Sequence, residues 1–334
     1  MNNKPKKKNI ILRIGITIVL CVGALFIIGA AYQFIASQLD KNKLTPPGEL
    51  IQVDDRSMHL YCTGSGSPTV ILEAGAGDYA LGWAWVQPEI AQHTRVCSYD
   101  RAGLGFSDPA EEPRDSKAIA NDLVTLLENA GIEGPYILVG HSRGGLFVRQ
   151  TAALIPDQVV GMVLVEAKNE NELNVLPTEF NSFVDKATLQ QNDMCINFAP
   201  FGIVRLFGFT HRPGLPAEYV ELDDALRDKL QFCKTMDVEY TAQALNFSNM
   251  ESLGDLGDLP LIVIARGEGI NPAQLPGLSE ETVSEVEEGW MKLQQELSTL
   301  SSNSEYWIAE NSTHNVHIEQ PEIVIQAILT LLSE

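Results

Sequence analysis

From residue 50 onward the chain alternates short apolar runs with longer stretches of helical spacing, and few architectures accept that order. Ile51–Val53 and Met58–Cys62 read as an opening hairpin. Thr69–Glu73, Arg95–Tyr99, Tyr136–Val139, Val159–Val165, Leu261–Ala265 and Tyr306–Ile308 then read as strands. Between them, Ser116–Asn129 carries Ile119, Leu123, Leu126 and Leu127 at helical spacing, and Gly131 and Gly134 stop that helix. Leu146–Leu154 and Glu322–Leu332 are also helical. Strands alternating with helices predict an α/β fold, a mainly parallel sheet covered on both faces. Ala167–Gly257 breaks the series: it holds helical fragments such as Ala217–Lys234, and we read a helical lid inserted at about 167–258. Its segment Pro200–Gly208 is unusually apolar and lines a pocket, faces lipid, or packs within the lid, the last being the simplest expectation. A chain of 334 residues accommodates one such domain with its insertion.

The N-terminus is of another kind. Residues 14–39 contain no charged side chain, and Ile14–Ala36 is almost wholly apolar. At ~1.5 Å per residue this run crosses the ~30 Å hydrocarbon core of a bilayer. Lys4, Lys6, Lys7, Lys8 and Arg13 precede it, so residues 1–13 are expected in the cytoplasm, 14–36 in the membrane and 37–49 in a linker, with 50–334 outside the cytoplasm. Secretion after signal cleavage near Gly29–Ala31 is the alternative; the apolar stretch is longer than the ~7–15 residues a signal peptide uses.

With those five cations set aside, 18 Lys and Arg face 44 Asp and Glu. Such a surface repels phosphate backbones, which argues against nucleic acid as a partner. Of five cysteines, Cys21 lies in the anchor; Cys62, Cys97, Cys195 and Cys233 fall where disulfides form, with three pairings open. None has metal-ligand spacing with a neighbouring histidine, and no metal or cofactor is expected. The oligomeric state is not readable.

Chemistry concentrates at Gly140-His141-Ser142-Arg143-Gly144, a G-x-S-x-G pattern between a strand and a helix. A serine in so sharp a turn has a strained backbone and an exposed hydroxyl, and the glycines avoid collisions a Cβ would make. The helix that follows aims free amide hydrogens at a developing oxyanion. The hydroxyl needs a base. His314 sits in the loop after the last strand and is preferred over His317, which lies nearer the final helix. His59, His93 and His211 lie in early elements or the lid, and His141 is read as structural. The acid that orients the imidazole is expected between serine and histidine in the chain, at a strand end. Glu166 directly follows Val159–Val165, and Glu268 closely follows Leu261–Ala265.

Met58–Gly75, Asp100-Arg-Ala-Gly-Leu-Gly-Phe-Ser-Asp108, Gly140–Gly145 and Ser312-Thr-His314 with Glu319-Gln-Pro321 together resemble the α/β-hydrolase superfamily over roughly residues 50–166 and 259–332. The resemblance implies an eight-stranded sheet, a Ser142–acid–His314 triad, and an oxyanion hole from the backbone amides of Ala76 and Arg143. Many members carry Gly-x-x-Asp after the strand that is 261–265 here, with Asp as the acid. This chain has Gly267-Glu-Gly-Ile270, so the acid falls to Glu166, the position some members use after the preceding strand, with Glu268 as the alternative. The resemblance also places Cys62 and Cys97 on neighbouring strands and lets Cys195 and Cys233 staple the lid.

The resulting expectation is a membrane-anchored serine hydrolase that cleaves a small or lipid-like carboxylic ester through an acyl-enzyme on Ser142. Acyl transfer, or lactone or peptide hydrolysis, on the same triad is the near alternative. A non-catalytic surface-binding protein that keeps the fold is the distant one.

Overall fold

The computed structural model describes residues 5–111 and 113–333. The side chains of residues 1–9, and with them the Lys4–Lys8 cluster expected in the cytoplasm, lie outside the described residues. Eight strands form one sheet: β1 (Glu49–Val53), β2 (Arg56–Thr63), β3 (Thr69–Glu73), β4 (Val96–Tyr99), β5 (Tyr136–His141), β6 (Val159–Val165), β7 (Leu261–Arg266) and β8 (Ser304–Ala309). Their order across the sheet is β1-β2-β4-β3-β5-β6-β7-β8. Only β1–β2 and β2–β4 pair antiparallel; every other pair is parallel. The predicted α/β sheet is therefore the one observed.

Burial follows from position in the sheet. β3 and β5 are buried along their whole length, and both read in the sequence as unbroken apolar runs. Successive residues divide between two cores. Ile71, Leu138 and Leu164 pack with Leu123 and Leu126 of the Ser116–Asn129 helix on one face. Val70, Leu72, Ile137 and Val139 pack with Val324 and Ile328 of the Pro321–Leu332 helix on the other. Asp115 caps the first of these helices by accepting from the Ala118 N–H. β8, at the sheet's edge, is only partly buried.

Cys62 and Cys97 face each other across β2 and β4 and form a disulfide, and a second joins Cys195 to Cys233. The latter ties together two helices of the stretch inserted between β6 and β7, Thr178–Phe198 and Leu230–Thr241. The helical stretch expected at Ala217–Lys234 is two helices, Ala217–Arg227 and Leu230–Thr241, because Lys229 is extended. Helices Ile203–Phe207 and Gln243–Glu251 complete the described lid helices beyond Thr178.

The N-terminal helix, α1, runs from Pro5 to Lys43, and Ile10–Lys41 is long and apolar enough to cross a membrane. The linker expected at 37–49 is shorter than that. Nothing between Ser37 and Lys43 breaks a helix, and β1 already begins at Glu49.

Leu138 has no exposed surface at the centre of the sheet. Leu138→Ala is expected to lower the unfolding free energy by about 2–5 kcal/mol, measured by urea denaturation in detergent.

Candidate active site

The sequence turns sharply where β5 ends. His141 is its last residue, Ser142 takes a φ of 52°, and a helix spans Gly144–Leu154. A non-glycine residue in the left-handed region is strained, and the surroundings must hold it there. The Ser142 N–H donates to the Val165 carbonyl at 3.0 Å. The glycines around it permit the packing. A Cβ on Gly144 would lie 2.6 Å from the Glu73 carbonyl oxygen, and one on Gly140 would lie 2.7 Å from the Gly144 oxygen. A Cβ on Gly75 would meet His141 Nδ1 at 2.8 Å and Ser142 Cβ at 3.2 Å.

β6 ends in a second strained turn, at Glu166, whose φ is 46°. Its N–H donates to Ile264 at 2.7 Å, and its carboxylate is wholly buried. Four donors surround that carboxylate. The Arg266 N–H reaches Oε1 at 2.8 Å and the Arg266 guanidinium reaches Oε2 at 3.2 Å. Trp290 Nε1 lies 3.0 Å from both oxygens, and His314 Nδ1 lies 3.1 Å from Oε2. Burial alone would raise this carboxyl. The bond and charge of His314, and then Arg266, outweigh it and hold the group below its ordinary value.

His314 follows β8 in a loop fastened at both ends. The Thr313 N–H and hydroxyl and the Ser312 hydroxyl all donate to Glu319. The ring of His141 lies beneath, its Nε2 donating to the His314 carbonyl at 2.9 Å. Burial, with His317 and His314 nearby, pushes the His141 imidazole well below its usual range, so it stays neutral. The imidazole of His314 thus stands between two partners: Nε2 lies 2.9 Å from Ser142 Oγ, and Nδ1 faces Glu166. This pattern assigns the proton to Nδ1 and leaves Nε2 to accept from the hydroxyl.

Ala76 lines the same cavity as Ser142, and Arg143 follows the serine in the chain. Among the described residues neither N–H has a hydrogen-bond acceptor, so both are free to meet an anionic oxygen. Ser142, His314, Gly75 and Ala76 line a cavity of about 450 Å³, together with Arg212 and Arg227. Arg212 pairs with Asp78 and with Asp223 at 3.0 Å, and Arg227 pairs with Asp223 at 2.9 Å.

The structure therefore brings Ser142, His314 and Glu166 together, with Ala76 and Arg143 alongside. Glu268, the alternative acid, is exposed, and its side chain makes no hydrogen bond to His314 among the described residues. His317 is buried at 4.1 Å from the His141 ring and stands near Asp78, not Ser142. Sequence reasoning missed Arg266, Trp290 and Glu319 as supports. Trp290 lies on a helix, Glu280–Ser298, whose apolar residues Val283, Val286, Trp290, Leu293 and Leu297 carry a helical period. That period marks a buried face, but nothing in it tells a carboxylate-binding indole from a packing one.

A family model described as the alpha/beta hydrolase fold matches residues 68–321. The chain belongs to the α/β-hydrolase family. Among curated relatives, the Bacillus subtilis protein YqjL is 25% identical over 79% of this chain and 83% of its own length. A Schizosaccharomyces pombe protein is 27% identical over 82% of this chain, which spans only 53% of that relative. The epoxide hydrolase CorEH superposes with a TM-score of 0.63 at 17% identity, covering 85% of this chain and 98% of its own. A thermophilic esterase from Thermogutta terrifontis gives 0.60 at 18% identity, covering 86% and 98%. At such identities the solved structures share the α/β-hydrolase fold and nothing finer. Their differing reactions leave the chemistry to the site itself.

Because Glu166 is held below its ordinary 4.5, its contribution to stability is complete above that pH. That contribution is lost as pH falls through the lower, folded value. Glu166→Gln is expected to flatten the acid limb of a Tm-against-pH curve below pH 4.5 while lowering Tm at neutral pH.

Proposed function

We propose that this chain is a membrane-anchored serine hydrolase that cleaves a carboxylic ester. The observation that carries the reading is the continuous chain of bonds from Ser142 Oγ through His314 to buried Glu166. In the first half-reaction His314 Nε2 takes the Ser142 proton as Oγ attacks the acyl carbon. The Ala76 and Arg143 amides receive the oxyanion, and Glu166 stabilises the imidazolium without taking its proton. The tetrahedral intermediate collapses, and the alcohol leaves with the proton from His314. Water then attacks the acyl-enzyme, losing its proton to His314. The carboxylic acid departs and the Ser142 hydroxyl is restored.

A serine nucleophile favours acyl chemistry over epoxide opening. The pairing of Arg212 and Arg227 with Asp78 and Asp223 favours an uncharged ester, small or lipid-like, since both guanidinium groups that line the cavity already face carboxylates. In this reading α1 anchors the enzyme with its N-terminus in the cytoplasm and the hydrolase domain on the other side.

A fluorophosphonate probe is expected to label the wild-type chain and not Ser142→Ala; equal labelling of both removes the nucleophile. Glu166→Gln is expected to lower kcat/KM toward a p-nitrophenyl ester by about 10²–10⁴, with Glu268→Gln within about twofold of wild type. The opposite ranking reassigns the acid. Alkaline carbonate should leave the full-length chain in the membrane. Release, or a chain shortened near Gly29–Ala31, makes the segment a cleaved signal.

A further inference from the structure

The lid touches α1, and the contacts change character along the helix. At its domain end they are polar: Arg205 donates to Asp40 at 2.7 Å and to Gln33 at 3.2 Å, and Gln33 donates to the Asp228 carbonyl at 3.0 Å. Toward the N-terminus they are apolar. Gly202 packs on the Tyr32 ring, and the backbone of Phe201 comes so close to Gly29 that a side chain there would collide with its carbonyl. The Phe201 ring meets Phe26 edge-on at 4.7 Å. From Gln33 to Phe26 the helix descends about 10 Å. The lid therefore reaches well down the uncharged part of the helix.

The same lid tip leaves apolar side chains uncovered. Leu206 is 70% exposed and Phe207 65%, and the Phe207 and Phe209 rings stack at 5.5 Å. Val204, two residues before Leu206, turns inward to the cluster around Cys195 and Cys233. Leu206, Ile203 and Phe201 share an apolar crevice of about 620 Å³ with Val22, Leu25 and Phe26 of α1. Whatever medium covers α1 at this depth also covers the lid tip, because the two line one surface. No part of the most apolar stretch of α1 is buried by protein. The net charge of the chain, -21, disfavours anionic headgroups, and the exposed side chains of the tip are apolar.

We propose that the lid tip Phe201–Phe209 is a second membrane-inserting element, its side chains lying among the acyl chains of the leaflet on the domain side. This rests on the anchor reading of α1 and not on the chemistry of Ser142. It sets the active-site wall beside the bilayer, because Arg212, which lines the cavity, follows Phe209 by three residues.

Full-length chain in phosphatidylcholine vesicles tests this. Ile18→Trp reports the anchor, Phe207→Trp the lid tip and Leu154→Trp, an exposed position on the domain, the aqueous control. Emission added over wild type is read with brominated phosphatidylcholine and with iodide. Brominated lipid is expected to cut the added emission of Ile18→Trp and Phe207→Trp roughly twofold. Iodide should quench only Leu154→Trp. Quenching of Phe207→Trp by iodide overturns the proposal, as does shielding from both quenchers, which would mean a protein surface, such as a second copy, covers the tip. Loss of lipid quenching at Ile18→Trp removes the anchor reading and the proposal together. Hydrolysis of a soluble p-nitrophenyl ester, measured on the same vesicles, reports separately on Ser142.

Discussion

A carboxylate with no access to water must be satisfied entirely by protein, and Glu166 is such a group. Its donors come from β7, from the Glu280–Ser298 helix and from the loop after β8, while its own backbone ends β6. One buried charge therefore couples four segments that are far apart in the chain. The His314 imidazole is one of its ligands, so the orientation of that ring toward Ser142 is a by-product of solvating Glu166. Removing the charge would disturb stability and reactivity together, because the same hydrogen bonds serve both.

The second constraint is steric. The strained turn at Ser142 is wedged between β3 and the helix that follows it, with main chain closer on several sides than any Cβ permits. Glycine at 75, 140 and 144 meets this requirement. Strain at Ser142 and at Glu166 is held by bonds from their own N–H groups to the Val165 and Ile264 carbonyls of the neighbouring strands. Rigid strands thus deliver two adjacent turns of unfavourable backbone to the same edge of the sheet.

The lid joins these parts to the N-terminal helix. Its two ends answer to different surroundings: Arg212 is paired within the cavity wall, whereas Leu206 and Phe207 find no protein partner that buries them. A disulfide joins two of its helices through Cys195 and Cys233. The tip is joined to the cavity wall by the short segment Thr210–Arg212.

Much of the fold was legible in the sequence because its signals are local. Apolar runs marked the strands, period-3.6 patterns the helices, and Gly140–Gly144 the turn, each within a window of a few residues. Ser142 and His314 followed from such context, and Glu166 rested further on a departure, Ile270, from a family pattern. What tertiary structure decided was distance. Glu166 and Glu268 both end strands, and only the β6–β7–β8 arrangement shows that the first faces His314 while the second points to water. Trp290 and Arg266 became ligands of Glu166 through packing across 124 and 100 residues, a separation no periodicity records. The apolar segment Pro200–Gly208 read most simply as lid interior, yet Leu206 and Phe207 are exposed beside α1, because burial depends on which helix docks and a pattern does not carry that. Local chemistry set the elements and the reactive side chains; the closing of the sheet chose the partners of each.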